Sequence, residues 1–190
     1  MGEDRNNTVG SNDDRIERIR NGDSKAFEEV FFEYHGKLCA VALRYVRSPE
    51  LAKDCVQDVF LKIWRRREEL EIRHNIRVYL YQAVRNQALN QIEKSKNRQH
   101  YSEKFYHEKL FQVADKPADL STDEWRLVRE IWELVEEMPE RRRAVFELHR
   151  RHGLSYKEIA RVMKISRKTV ENHMGKALQQ IRDQISIEEP

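Results

Sequence analysis

The sequence has few of the residues that punctuate or cross-link a chain. Its 190 residues include only 6 glycines, 4 prolines and 2 cysteines. This composition favours long helices over hairpins, because glycine and proline mark most tight turns. Cys39 and Cys55 are too few for a disulfide framework. The sequence contains no signal peptide and no apolar run long enough to span a membrane, so we expect a cytoplasmic protein.

The sequence also lacks the motifs of an enzyme. We find no phosphate-binding loop, no set of metal ligands and no nucleophile paired with a base. His35 and Cys39 could share a helix face as half of a metal site, but no second pair completes it. His149 and His152 have helical spacing and are interpreted as surface residues beside arginines. We therefore predict no catalytic activity, no metal, no cofactor and no small-molecule substrate.

Charge is distributed unevenly, although the net charge is only +3. Residues 141–182 contain 12 Lys and Arg against 3 acids, whereas residues 121–140 contain 2 basic and 7 acidic residues. A basic patch next to an acidic helix suits phosphate binding, but a solvated charged face has the same composition. The arginines that could add phosphate contacts are Arg141, Arg142, Arg143, Arg150 and Arg151.

Helical periodicity with clear breaks predicts an all-α fold of two small helical domains. Residues 1–12 are polar and predict a disordered tail, and residues 13–98 form the first domain, with helices near 13–21, 24–47, 49–68 and 76–96. Residues 99–120 lose periodicity and predict a flexible linker. Residues 121–187 form the second domain, beginning with helices near 122–137 and 139–152.

Residues 154–185 contain two short helical patterns broken at Lys164-Ile165. Ser155 with Glu158 predicts a capping box for the first helix, and Ser166 predicts the cap of the second. Residues 155–175 therefore predict a helix-turn-helix, although many such motifs have glycine where this chain has Lys164. The predicted buried side chains are Ile159, Val162 and Met163 in the first helix and Val170, Met174, Ala177, Leu178 and Ile181 in the second.

The second of these helices presents polar and basic side chains on its outer side. Asparagine suits adenine, glutamate suits cytosine, and lysine and arginine suit guanine or the phosphate backbone. Gly175 would let the backbone come near a phosphate or base. Any amphipathic helix has polar outward residues, but the coincidence of caps, turn and basic face favours DNA binding. The candidate DNA contacts are Ser166, Arg167, Lys168, Thr169, Glu171, Asn172, His173 and Lys176.

The pattern in 49–68 predicts one apolar face and one acidic face. The apolar face contains Leu51, Cys55, Val56, Val59, Phe60, Ile63 and Trp64. On the opposite face, Leu61 lies among Asp54, Gln57, Asp58 and Arg65. A single exposed leucine is common, but one surrounded by acids and an amide also suits contact with a basic, partly apolar protein.

The helix predicted for 76–96 combines a core face with a polar stripe. The expected core residues are Ile76, Leu80, Ala83, Val84, Ala88 and Ile92. The stripe contains Tyr79, Gln82, Asn86 and Asn90, with Arg77, Arg85 and Lys94 alongside. An aromatic ring with amides and bases suits unstacked single-stranded bases, and a solvated helix face explains the same pattern.

Two sequence blocks make the arrangement recognisable. AKDCVQDVFLKIW followed by RVYLYQAVRNQALNQIEK resembles region 2 of bacterial RNA polymerase sigma factors. MPERRRAVFELHRRHGLSYKEIARVMKISRKTVENHMGKALQQIR resembles their region 4. The chain resembles the small extracytoplasmic-function, or group 4, sigma factors, and within them the iron-citrate branch found in Bacteroidetes. The resemblance implies a sigma factor that directs promoter-specific initiation of transcription.

The same resemblance implies roles for the residues singled out above. Asp54, Gln57, Asp58, Leu61 and Lys62 would dock on the clamp coiled coil of the polymerase β′ subunit, and the β subunit would be a further contact. The melted −10 element would meet Arg73, His74, Asn75, Tyr79, Arg85, Asn86 and Asn90, with Tyr79 and Tyr81 as the aromatic residues of the melting segment. The second helix of the helix-turn-helix would bind the double-stranded −35 element. A membrane-linked anti-sigma factor would hold the protein inactive and associate it with the membrane.

A transcriptional regulator of the LuxR-like kind is the alternative among DNA-binding proteins. Its C-terminal motif is similar, but it would require a ligand-binding or receiver domain with strands before that motif. Residues 13–96 show no alternation with a period of two. The sequence therefore favours the sigma factor.

Overall fold

The computed structural model describes residues 8–72, 75–95 and 121–185. We label its described α-helices in chain order: α1 (Thr8–Arg20), α2 (Ser24–Val46), α3 (Pro49–Arg65), α4 (Ile76–Ser95), α5 (Thr122–Glu136), α6 (Glu140–Arg150), α7 (Tyr156–Met163) and α8 (Arg167–Ile185). A turn of 3₁₀-helix, Arg67–Glu69, follows α3. These described residues contain no strand, so the predicted all-α fold is confirmed. Within the same residues, no helix is both long and apolar enough to cross a membrane.

The chain divides into two compact units, the first containing α1–α4 and the second α5–α8. The predicted linker, 99–120, lies outside the described residues, as do residues 1–7 of the predicted tail. Helix α1 begins at Thr8, so part of the 1–12 segment expected to be disordered is helical instead. Ile16 and Ile19 anchor α1 in the core, and adding turns to an anchored helix costs little compared with nucleating it.

Side-chain caps determine where the helices begin. Asp23 accepts hydrogen bonds from Lys25 N and Ala26 N at the start of α2, and Ser48 caps α3 ahead of Pro49. Ser121 and Ser155 form complete capping boxes for α5 and α7, with Glu124 and Glu158 as their partners. These caps satisfy backbone N–H groups that have no partner within the helix. The predicted helix starts at these positions are confirmed.

In the first unit, α2 packs against α3 and α4, and α3 packs against α4. The predicted core face of α3 is confirmed at Cys55, Val56, Val59, Phe60 and Ile63, which are buried, whereas Leu51 and Trp64 are half-buried. Helix α4 contacts both neighbours and is buried on more than one side. Tyr81 and Val78 are therefore core residues in addition to the predicted Ile76, Leu80, Val84 and Ala88.

In the second unit, α8 packs against α5, α6 and α7. Val170, Met174 and Ala177 are buried as predicted, together with Ile159, Val162 and Met163 of α7. The prediction was wrong for Leu178, which is exposed. At 100° per residue, Leu178 lies about 80° from Val170 around the helix axis, so it falls at the edge of the buried stripe.

Candidate functional site

The turn between α7 and α8 is a Schellman motif built on lysine rather than glycine. Lys164 has left-handed backbone angles, with φ 55° and ψ 48°. Ile165 N donates to Ala160 O at 3.0 Å and Lys164 N donates to Arg161 O at 3.2 Å. These are the two hydrogen bonds of the motif, and its left-handed position usually holds glycine. Lys164 thus makes the turn without glycine and gives α8 its direction.

Ser166 caps α8, as predicted. Its Oγ accepts a hydrogen bond from Thr169 N at 3.0 Å and lies 2.8 Å from the Thr169 hydroxyl. Both hydroxyl groups are therefore engaged with each other at the first turn of α8. This arrangement fixes the helix N-terminus, which is the end that a helix-turn-helix directs into the major groove.

The remaining predicted DNA contacts lie on the outer side of α8. Arg167, Lys168, Asn172 and Lys176 are exposed, and Thr169, Glu171 and His173 are half-buried. Arg167 Nε donates to Glu171 Oε1 at 3.0 Å. A Cβ built on Gly175 would meet no atom within 4 Å, so the backbone there is open to a close approach. The predicted residues thus share the solvent-facing arc of α8 opposite its buried stripe, which we call the α8 face.

His173 lies where basic side chains converge. Its pKa is lowered first by burial and then by the positive charges of Arg142, Lys176 and Arg141. The lowered pKa favours the neutral imidazole, which presents one donor and one acceptor nitrogen. The charges that lower its pKa also give this part of the α8 face a positive potential, which attracts phosphate.

Three of the arginines predicted to contact phosphates are engaged within the protein. Arg142 donates to Gln180 at 2.8 Å, and Arg143 pairs with Glu136 at 3.3 Å. The guanidinium of Arg151 lies 4.4 Å from the ring centre of Trp132. Planar guanidinium groups bind carboxylates and stack on aromatic rings, and both contacts occur here. Arg141 and Arg150 are exposed to solvent.

A second surface lies on the solvent side of α3, and we call it the α3 face. It consists of Asp54, Gln57, Asp58, Leu61 and Lys62, all exposed as predicted. Leu61 is 46% exposed on a helix whose opposite side is buried. An apolar side chain surrounded by carboxylates and an amide matches the composition of a protein contact surface.

Gln87 of α4 connects to the α3 face, and the sequence did not reveal it. Its Nε2 donates to Asp58 Oδ2 at 2.9 Å, and its Oε1 accepts from Lys62 Nζ at 2.9 Å. One amide therefore bridges an acid and a base of the neighbouring helix. Sequence periodicity places residues on faces of their own helix, so it carries no signal for such a contact between helices.

An aromatic groove of about 440 Å³ adjoins the end of α3. It is lined by Ser24, Phe27, Glu28, Phe31, Phe32 and Trp64, and Phe32 is 78% exposed. Trp64 follows Leu61 by three residues, and side chains at that spacing are neighbours on a helix surface. The groove therefore adds aromatic area beside the end of α3 that the sequence did not predict.

The predicted −10 residues divide into accessible side chains, one helix cap and undescribed residues. Tyr79, Arg85 and Asn86 are half-buried and Asn90 is exposed, whereas Arg73 and His74 lie outside the described residues. Asn75 caps α4, because its Oδ1 accepts from Val78 N at 2.8 Å. Tyr81, the second aromatic residue of this segment, is fully buried and cannot stack on a base. Tyr79 is thus the accessible aromatic residue of the predicted pair.

The histidines singled out from the sequence have structural neighbours. His35 Nε2 lies 3.7 Å from Cys39 Sγ, and its ring centre lies 4.7 Å from that of Phe31. Among the described residues, no group of three or more potential ligands surrounds them or any other point. His149 and His152 are half-buried rather than surface residues, and His149 Nδ1 lies 2.8 Å from Leu154 O. His149 therefore fastens the turn that follows α6.

Comparison with known proteins gives the two units a family. The model of sigma-70 region 2 matches residues 30–98, and the model of sigma-70 region 4 matches residues 128–181. Together these matches span more than half of the chain. They fall in the first and second compact units, respectively.

Relatives match over nearly the whole length. The chain is 28% identical over 177 residues to the ECF RNA polymerase sigma-E factor of Escherichia coli K12, covering 90% of this chain and 92% of that protein. It is 26% identical over 172 residues to the RNA polymerase sigma-H factor of Pseudomonas aeruginosa, covering 87% and 89%.

A solved structure shares the fold. It is the complex of the sigma factor RpoE with the anti-sigma factor NepR from Bartonella quintana, with a TM-score of 0.59 and 20% identity, covering 87% of this chain and 99% of that one. Sigma factors recognise promoters and initiate transcription without being enzymes. The chain belongs to the sigma-70 family of RNA polymerase sigma factors, as an ECF-type member.

Proposed function

We propose that this sigma factor binds core RNA polymerase through the α3 face. The observation that carries the proposal is the exposure of Leu61 beside Asp54, Gln57 and Asp58, on a helix whose opposite side is built into the core. The occupant would be the clamp coiled coil of the β′ subunit, with the β subunit as a further contact. Exposed acids favour a basic partner and speed its association, while Leu61 supplies apolar area that loses water on binding.

We propose that the α8 face binds the −35 element in the major groove. Capping at Ser166 and the Schellman turn at Lys164 hold the helix N-terminus in a fixed direction. Arg167, Glu171 and Asn172 are the types that distinguish bases, and Lys168 and Lys176 suit phosphates. Thr169 and Ser166 hold the first turn, and His173 adds a neutral donor and acceptor.

We propose that the exposed side of α4 holds the melted strand of the −10 element. Tyr79 would stack on an unpaired base, and Asn86 and Asn90 would bind its neighbours. Arg85, with Arg73 and His74 from the preceding segment, would contact phosphates. Asn75 contributes by starting α4, since its side chain is the cap of that helix.

We further propose an anti-sigma factor as the regulator of the protein, linked to the membrane and thereby able to retain this cytoplasmic protein there. Family membership supports a regulatory partner, and the Bartonella quintana relative in the complex with NepR has the same fold. The sequences of its region 2 and region 4 blocks support placement in the iron-citrate branch of the family. Co-purification of a partner from membranes of the native cells tests the proposed anti-sigma factor and its link to the membrane.

Reconstituted transcription tests the promoter function as a whole. The protein is mixed with core polymerase and a template that carries a candidate promoter, and transcripts that start at one site are the expected product. Asp54→Ala combined with Leu61→Ala should weaken association with core polymerase. The matched control is Glu17→Ala, which removes an exposed acid from α1 of the same unit.

The outcomes separate the proposed surfaces. Association that is unaffected by the double substitution would refute the α3 face as the polymerase site. Association that is weakened without loss of promoter binding by the α8 face is the result we expect, because the two surfaces belong to different compact units.

A further inference from the structure

The charged groups of Asp58 and Lys62 on α3 are both hydrogen-bonded to one side chain of the neighbouring helix α4. They lie four residues apart on α3 and are both exposed. Gln87, half-buried on α4, donates to Asp58 Oδ2 and accepts from Lys62 Nζ, each at 2.9 Å. The two charged groups are thus attached to one amide that belongs to the neighbouring helix.

The chemistry of this position suits glutamine. An amide carries a donor and an acceptor side by side, so it satisfies a carboxylate and an ammonium group at the same time. A carboxylate at position 87 would pair with Lys62 but repel Asp58. A lysine there would pair with Asp58 but repel Lys62. An apolar side chain would leave both charged groups to solvent.

We infer that Gln87 is a positioning residue for polymerase binding: it orders the Asp58 carboxylate and the Lys62 ammonium in the conformation that meets the polymerase. This inference rests on the proposed role of the α3 face. Exposed charged side chains lose rotamer freedom when they bind, and a residue that orders them beforehand lowers that cost. Gln87 contributes through Asp58 and Lys62, without itself contacting the polymerase.

The test is the affinity of the full chain for core RNA polymerase, compared between wild type and Gln87→Met. Methionine has nearly the same length but cannot bridge the two charges. We expect the dissociation constant to rise about two- to fivefold, as suits contacts between exposed groups. Gln91→Met is the matched control, since it removes the same side chain one turn further along α4.

A double-mutant cycle distinguishes positioning from a general structural role. Gln87→Met should lose its effect when Asp58 and Lys62 are both alanine, because the residues through which it acts are then absent. A general loss of structure in α4 would persist in that background. Gln87→Glu provides a second variant that stays polar: it should weaken binding in the wild-type background by repelling Asp58, and its effect should disappear with Asp58→Ala.

The results separate this inference from the proposed function. If Asp58→Ala weakens binding but neither Gln87 variant does, the positioning role is wrong and the α3 face stands. If the Gln87→Met effect is unchanged in the background without Asp58 and Lys62, the positioning role is also wrong. If Asp54→Ala with Leu61→Ala does not weaken binding, the α3 face itself is refuted.

Discussion

Arg167 and Glu171, one turn apart on the α8 face, form an ion pair with Nε and Oε1 separated by 3.0 Å. The Arg167 side chain is 71% exposed, so the pair contributes at most about 1 kcal/mol to stability. Its consequence is orientation, because Glu171 restricts where the guanidinium can lie before DNA arrives. Specificity at the positions that Arg167 contacts should therefore depend on Glu171.

We predict that Arg167→Ala changes preference at one or two −35 positions by about 1–3 kcal/mol while the free energy of unfolding stays nearly constant. Glu171→Ala should reduce base discrimination at some of the −35 positions that Arg167 contacts. The effect of the double substitution on this discrimination should be smaller than the sum of the two single effects. The measurement is binding of duplexes with each −35 position varied in turn. Equal loss on every duplex would show that Arg167 contacts only phosphates.

Lys168 is the matched comparison for that experiment. It is exposed beside Arg167 and is assigned to phosphate. Lys168→Ala should weaken binding to all duplexes alike, and the slope of log K against log salt should become shallower by about 0.9. A change in sequence preference instead would assign Lys168 to a base.

The conformation of Lys164 leads to a stability prediction. Its φ of 55° is sterically unfavourable for a residue with a Cβ, whereas glycine adopts it readily. Lys164→Gly should therefore raise the free energy of unfolding by about 0.5–1 kcal/mol, measured by denaturant unfolding. Lys157→Gly is the control: Lys157 lies within α7, where glycine should destabilise by about 0.5–1 kcal/mol. Equal destabilisation by both would contradict the assigned role of the turn.

His173 should make stability depend on pH. Burial, followed by the charges of Arg142, Lys176 and Arg141, lowers its pKa below the ordinary value of 6.5. Below pH 6.5 the His173 imidazole therefore binds a proton more readily in the unfolded chain than in the folded chain. The contribution of His173 to the free energy of unfolding decreases as pH falls through 6.5 and is recovered as pH rises above it.

Denaturant unfolding between pH 5.5 and 7.5 checks this contribution. His173→Gln should flatten the pH dependence, because glutamine does not titrate in that range. Asn172→Gln, an exposed substitution on the same helix, removes no titrating group and should preserve the slope. Identical pH profiles for wild type and His173→Gln would contradict the prediction.

The sequence predicted single helices better than contacts between them. Local spacing predicted the helix caps Ser155 and Ser166 and the apolar faces of α3 and α7. These predictions are confirmed, because α3 and α7 each bury one side. Helix α4 packs against both α2 and α3, so the single core face predicted from periodicity omits the buried Tyr81. Gln87 was missed because its role depends on side chains about 25–30 residues away along the chain.

Tyr79 and Tyr81 lie two residues apart and should respond to substitution in opposite ways. Tyr79 is half-buried beside the solvent side of α4, and Tyr81 is fully buried. Tyr79→Ala should reduce strand opening at the −10 element by about 1–3 kcal/mol, the value of one stacked base, with little change in stability. Tyr81→Ala should instead destabilise the first unit by about 3–5 kcal/mol, as other large core truncations do.

A fluorescent base in the −10 element reports strand opening by the reconstituted holoenzyme, and denaturant unfolding reports stability. Tyr79→Phe keeps the aromatic ring and should open the strand nearly as well as wild type, which makes it the control for stacking. Normal strand opening by the Tyr79→Ala variant would show that Tyr79 does not contact the melted strand. Because Tyr81 is fully buried, that surface would then depend on the polar side chains of Asn86 and Asn90.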